Sequence, residues 1–230
     1  MRELLLRLHR FVTSQSLYPI VLSSALSVII YVGRAIYSGS WIVYFNLIWN
    51  LLLAWIPYIF SMAAAAFHNL SPRKWWLLIL PVGIWLLFFP NAPYIVTDFF
   101  HLVPRYRVPM WYDILMLTTF SWTGVFLTIA SLRTMQGLVK YYIGGFFSWL
   151  FVVFSLGLGG LGIYLGRFER WNSWDMLTHP KKILKDVLVP FVDPLNSLRF
   201  FGFTILFTAF LVVCYLMFIS MRTPGVAEKE

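Results

Sequence analysis

Long apolar runs with few polar interruptions dominate this chain, and their lengths fit membrane crossing. Six of them lie at about residues 17–37, 41–67, 75–95, 111–132, 143–166 and 200–220. Each approaches or exceeds the roughly 20 residues that span a hydrocarbon core, and the run at 41–67 is long enough to tilt or to extend past it. Two shorter segments carry an amphipathic pattern instead. In 2–12, Leu4, Leu5, Leu8, Phe11 and Val12 share a helical face, Arg2, Arg7 and Arg10 sit largely elsewhere, and Glu3 can pair with Arg7 one turn on. In 180–189, Ile183, Leu184, Val187 and Leu188 oppose Lys181, Lys182 and Lys185, with Pro190 and Pro194 expected to end the helix. Both segments predict helices lying in the headgroup region. The pattern as a whole predicts an all-α polytopic membrane protein, six spans and two interfacial helices in a single domain over 1–230. A basic start before Leu17 also suits a signal peptide, but Tyr31-Val32-Gly33-Arg34 offers no small-x-small cleavage site, so an uncleaved first span is expected.

Composition agrees with that class and narrows the partners. The chain is 60% hydrophobic and only 12% charged, against about 25% charged in a soluble domain. Its single cysteine, Cys214, lies inside an apolar run, which excludes an intramolecular disulfide and a cysteine-based zinc site. Eighteen basic residues against nine acidic ones point to a bilayer with anionic lipid headgroups. No basic cluster supports nucleic-acid binding.

The polar residues that remain are concentrated. Pro90-Asn91-Ala92-Pro93-Tyr94-Ile95-Val96-Thr97-Asp98-Phe99-Phe100-His101 follows the third apolar run. Two prolines three residues apart break that helix, and Asn91 can cap a new one with Pro93 in its first turn. Tyr94, Thr97, Asp98 and His101 then fall at i, i+3, i+4 and i+7, on one face of an α-helix. A second dense stretch runs from Gly162 through Gly166-Arg167-Phe168-Glu169-Arg170-Trp171-Asn172-Ser173-Trp174-Asp175. Tryptophan and arginine are ordinary interface anchors, an explanation that covers Asn172 and Asp175 less well. Elsewhere the bland readings suffice. Asn46, Asn50 and Pro57 form a weakly polar stripe suited to interhelical hydrogen bonds. Ser155/Gly159 and Gly162/Gly166 are small-xxx-small pairs for close packing. Asp113 opens the fourth span, where a carboxylate suits the helix dipole.

With six spans, the end of span three, the start of span four and the end of span five share a membrane face. Asn91, Tyr94, Asp98, His101, Asp113, Arg167, Arg170, Asn172 and Asp175 can therefore meet. Basic residues divide evenly, nine to each side, but leaving out the long fifth loop makes the count nine to three. That favours cytoplasmic termini in a plasma membrane and a site facing outward.

Pro90-Asn91-Ala92-Pro93-Tyr94-Ile95-Val96-Thr97-Asp98 resembles the P-N-A-P-Y-x-x-T-D signature of an uncharacterised bacterial integral membrane-protein family, known only as a domain of unknown function. Gly166 to Asp175 is similar to its second signature, G-R-F-x-R-W-N-S-W-D. The resemblance implies a multi-span bacterial membrane protein and no established activity.

Three functional readings stay open. In a membrane enzyme, Asp98, His101, Asp113 and Asp175 would serve as acid–base groups, or Asp98, His101 and Asp175 would bind a divalent metal. Asn91, Tyr94, Thr97, Arg167, Arg170, Asn172 and Trp174 would hold an anionic lipid or envelope component. In a transporter or lipid translocator, the broken helix would expose backbone groups to substrate. In a non-catalytic scaffold, Asp98 and Asp175 would pair with Arg167, Arg170, Arg105 or Arg107 to lock helix ends together.

Overall fold

The computed structural model describes residues 13, 15–105 and 107–221. The interfacial helix expected at 2–12 lies outside the described residues. The rest is helical: α1 (Leu17–Ser38), α2 (Phe45–Leu70), a 3₁₀ turn (Trp75–Leu78) leading into α3 (Ile79–Phe88), α4 (Asn91–Tyr94) continued by a 3₁₀ segment (Ile95–His101), α5 (Met110–Tyr142), α6 (Gly145–Phe168), α7 (Asp175–Thr178), α8 (Pro180–Val192) and α9 (Leu198–Ser220). Six of these units, counting Trp75–His101 as one, are long and apolar enough to cross a membrane. The protein is an all-α polytopic membrane protein.

Burial ranks the spans. The most apolar window of α5 is 61% buried, against 11% in α9, so α5 is the central helix and α9 a peripheral one. Two apolar clusters flank the centre. One gathers Trp85, Phe89, Leu132, Leu156, Ile163 and Tyr215; the other gathers Ile20, Leu47, Tyr58, Ile95, Met116 and Phe120. Leu22, Ile29, Phe146, Leu150, Phe154, Ile205 and Leu206 stay exposed, as expected of side chains that face acyl chains rather than water.

α5 is longer than the pattern suggests. A loop is expected at 133–142, yet the helix runs without interruption to Tyr142. Leu132, Met135 and Leu138 are buried and keep an i, i+3, i+6 stripe through that segment, so Arg133 and Lys140 decorate a helix instead of ending it. At 1.5 Å per residue its 33 residues reach about 50 Å, well beyond a hydrocarbon core. α8 also passes its expected stop, because Pro190 sits within the helix, which continues to Val192.

The proline-broken segment sits between the two clusters. Pro90 keeps right-handed helical angles (φ −64°, ψ −21°), so the chain tightens without turning away. Asn91 does not cap α4; that position is Pro90, with no side-chain cap. Instead the Ala92 N–H donates to Phe89 O (3.3 Å), and Asn91 Nδ2 donates to Phe88 O (3.2 Å). The side chain thus occupies the carbonyl that an undisturbed α-helix would have given to Ala92. Close backbone approach holds the segment in place. A Cβ on Gly124 of α5 would lie 2.4 Å from Ala92 O, and one on Gly162 of α6 would lie 2.6 Å from the Pro90 ring. The glycine read as a helix-packing residue therefore receives a proline.

Candidate functional site

Because Ile95–His101 is 3₁₀, side chains three apart align. Tyr94, Thr97 and Phe100 form one row, and Ile95, Asp98 and His101 another. The α-helical face expected for Tyr94, Thr97, Asp98 and His101 is thus two adjacent 3₁₀ rows, and all four residues still meet around Arg167. Thr97 and Asp98 are buried, while Phe100 and His101 are exposed.

Asp98, 1% exposed, is held on both carboxylate oxygens. Asn46 Nδ2 donates to Oδ1 at 3.3 Å, and Asn50 Nδ2 donates to Oδ2 at 2.8 Å. From the last turn of α6, Arg167 Nη2 reaches Oδ1 at 3.4 Å and also donates to the Thr97 carbonyl. Its Nε donates to Thr97 Oγ1 at 3.1 Å, and its Nη1 lies 3.0 Å from His101 Nε2. A guanidinium only donates, so in this contact the His101 ring nitrogen is the acceptor. Tyr94 and Phe100 complete the surround, their ring centroids 5.3 and 5.4 Å from the guanidinium carbon. One charge pair thus ties α2, the broken segment and α6 together.

Asp113 stands apart from that group. Within the first turn of α5 it accepts from Arg34 Nε (2.6 Å) and Nη2 (3.3 Å), with both side chains 1% exposed. Arg34 is a buried residue near the end of α1 whose guanidinium carbon also sits 4.8 Å from the Tyr44 ring centroid. This second desolvated pair fixes α1 to α5.

The loop after α6 makes a third unit. The N–H groups of Glu169 and Trp171 both donate to Leu165 O at 3.1 Å, closing the helix end. That path puts Arg170 at φ 59°, a left-handed conformation that costs a non-glycine residue about 1 kcal/mol. Asp175 is spent on the loop itself, accepting from the Asn172 N–H (2.8 Å) and Nδ2 (3.3 Å). Trp171 Nε1 donates to Asp186 of α8 (2.8 Å), and Asn91 Nδ2 donates to Ser173 Oγ (2.7 Å). Trp174 is exposed. Asp98, His101 and Asp175 do not assemble as a metal site, because among the described residues no three His, Cys, Asp or Glu side chains are grouped to hold an ion.

Between this loop, α2 and the broken segment lies a cavity of about 330 Å³. Asn50, Asn91, Tyr94, Arg170, Asn172 and Ser173 line its polar side; Trp49, Leu53, Leu87, Leu165, Met176 and Ile183 line its apolar side. Asn50 belongs to both units, bordering the cavity while its amide holds Asp98.

Residues 49–214 match the family described as a protein of unknown function (DUF1361). The chain belongs to this family. The DUF1361 match takes in both dense polar stretches and all the cavity-lining residues. No curated protein matches the chain, and no solved structure does. Within the DUF1361 segment, sequence reasoning passed over Asn50 as an ordinary bundle amide, and outside it Asn46 and Arg34. The signal for the two amides was their i, i+4 spacing in an apolar span. Arg34 was the only charge in the first span.

Proposed function

We propose that the cavity beside Arg170 binds the headgroup of an anionic amphiphile, a lipid or an envelope component, at one membrane boundary. The observation that carries this reading is Arg170 itself. It lines the cavity in a strained backbone conformation and has no acidic partner among the described residues. The Tyr94 hydroxyl likewise makes no hydrogen bond to a described residue, so a phosphate or carboxylate entering here finds a charge-assisted donor and a neutral one. The apolar side offers room for the first methylenes of a chain. Asp98 is a positioning residue in this scheme: with its oxygens taken up by Asn46, Asn50 and Arg167, it fixes the wall that carries Asn50 and Tyr94.

We further propose that the termini are cytoplasmic, that the site faces outward, and that the membrane is a bacterial plasma membrane. Pairing Arg34 inside the bundle removes one charge from the outer count, so that without the fifth loop it stands at nine to two, a stronger basic bias on the N-terminal side. The ligand test is native mass spectrometry of protein purified in mild detergent. Arg170→Gln should reduce co-purified anionic lipid at least about 10-fold, as expected when a charged hydrogen bond is lost. Equal retention by the variant would reject the assignment.

A further inference from the structure

The opposite end of the bundle carries a second cavity, about 630 Å³, where the end of α5 meets the start of α6. Its α5 wall presents Arg133, Gln136, Gly137 and Lys140. Positions i, i+3, i+4 and i+7 lie on one helical face, so the two cations stand about 10 Å apart along the axis, with an amide and an empty position between them. Neither cation has a carboxylate partner among the described residues. Tyr215 Oη donates to Gln136 Oε1 at 2.6 Å. That contact occupies the amide's acceptor and leaves Nε2 as a donor. A Cβ at Gly137 would meet nothing within 4 Å, so the space between the two cations is open. The facing wall is the first turn of α6, through Gly145, Ser148 and Trp149. Gly144 precedes this helix and offers no capping side chain, and the first-turn N–H groups add positive partial charge.

We propose that this cavity binds a phosphate group, clasped by Arg133, Gln136 and Lys140. Three donors on one helix face, with no acidic side chain lining the cavity, suit the acceptor oxygens of a phosphate ester. Basic recesses between membrane helices suit phospholipid headgroups; a soluble phosphate ester offers the same chemistry. The site is independent of the one at Arg170, from which the length of the bundle separates it.

The test uses full-length protein in neutral detergent, both wild type and Arg170→Gln, so that the first cavity cannot account for the result. The probes are short-chain phosphatidylglycerol, short-chain phosphatidylcholine and glycerol 3-phosphate, each added to the detergent solution. Arg133→Gln/Lys140→Gln should weaken binding at least 10-fold, and Gly137→Leu, which fills the space but keeps both charges, should do the same. Thermal melting in detergent identifies any variant that fails to fold, and Gly137→Leu, with a better helix former, guards against that outcome. Binding of phosphatidylglycerol but not of glycerol 3-phosphate assigns a lipid headgroup, and binding of glycerol 3-phosphate assigns a soluble ester. Absence of binding to both, equal binding to phosphatidylcholine, or binding untouched by both sets of changes would overturn the proposal.

Discussion

Asp98 and Arg167 are each other's only ionic partner among the described residues, and that makes the pair sensitive to single changes. Asp98→Asn would leave Arg167 charged and poorly compensated in a mostly buried place, at a cost of about 3 kcal/mol. Thermal unfolding in detergent should show a clear drop. Asp98→Asn/Arg167→Gln should then recover part of it; a double variant no better than the sum of the singles would disprove the coupling. Arg170 predicts the opposite separation. Arg170→Gly relieves the left-handed backbone, so the melting temperature should hold or rise while lipid retention falls. Retained lipid with a raised melting temperature would mean the side chain contributes nothing. Much of this cluster was legible, because residues such as Asp98, His101 and Arg167 are rare in so apolar a chain. Their partners were not. The i, i+4 spacing of Asn46 and Asn50 was visible, but which helix end they face depends on the register of one span against another. Asp113 shows the same limit: its position in the first turn of α5 was readable, whereas Arg34, 79 residues earlier, was not.

The elements are governed by how closely backbones approach. Gly124→Ala would push a methyl against the Ala92 carbonyl, a rigid neighbour, so the broken segment must move; overpacking of this kind costs about 1–3 kcal/mol. Gly83 offers the matching control, since a Cβ there meets nothing within 4 Å. Gly83→Ala should leave stability unchanged or raise it by about 0.5–1 kcal/mol. Equal melting temperatures for the two variants would argue against the tight seat at Gly124. Helix breaking at Pro90 was predictable from chemistry alone. That the chain would continue as 3₁₀ was not, because the same residues also satisfy an α-helical face, and only contact with α5 and α6 separates the two. The length of α5 was missed for a plainer reason. Arg133 and Lys140 suggested a loop, although Leu132, Met135 and Leu138 carry the helical period past them.

For the molecule as a whole, class and span number were legible because apolar length is a local property. Orientation is less local, and side-specific labelling addresses it. In a Cys214→Ser background, Lys182→Cys on α8 should react with an impermeant thiol reagent in intact cells, whereas Asn69→Cys should react only after permeabilisation. The reverse pattern would place the Arg170 cavity in the cytoplasm. The long central helix adds a final consequence. Asp113 and Arg133 lie twenty residues apart on it, about 30 Å, which is the thickness of a typical hydrocarbon core. α5 therefore works as a ruler, with the buried Arg34–Asp113 pair near one end of that length and Arg133 at the other. In a bilayer of shorter-chain lipids the ruler no longer fits upright, and the whole bundle must tilt or thicken the lipid around it.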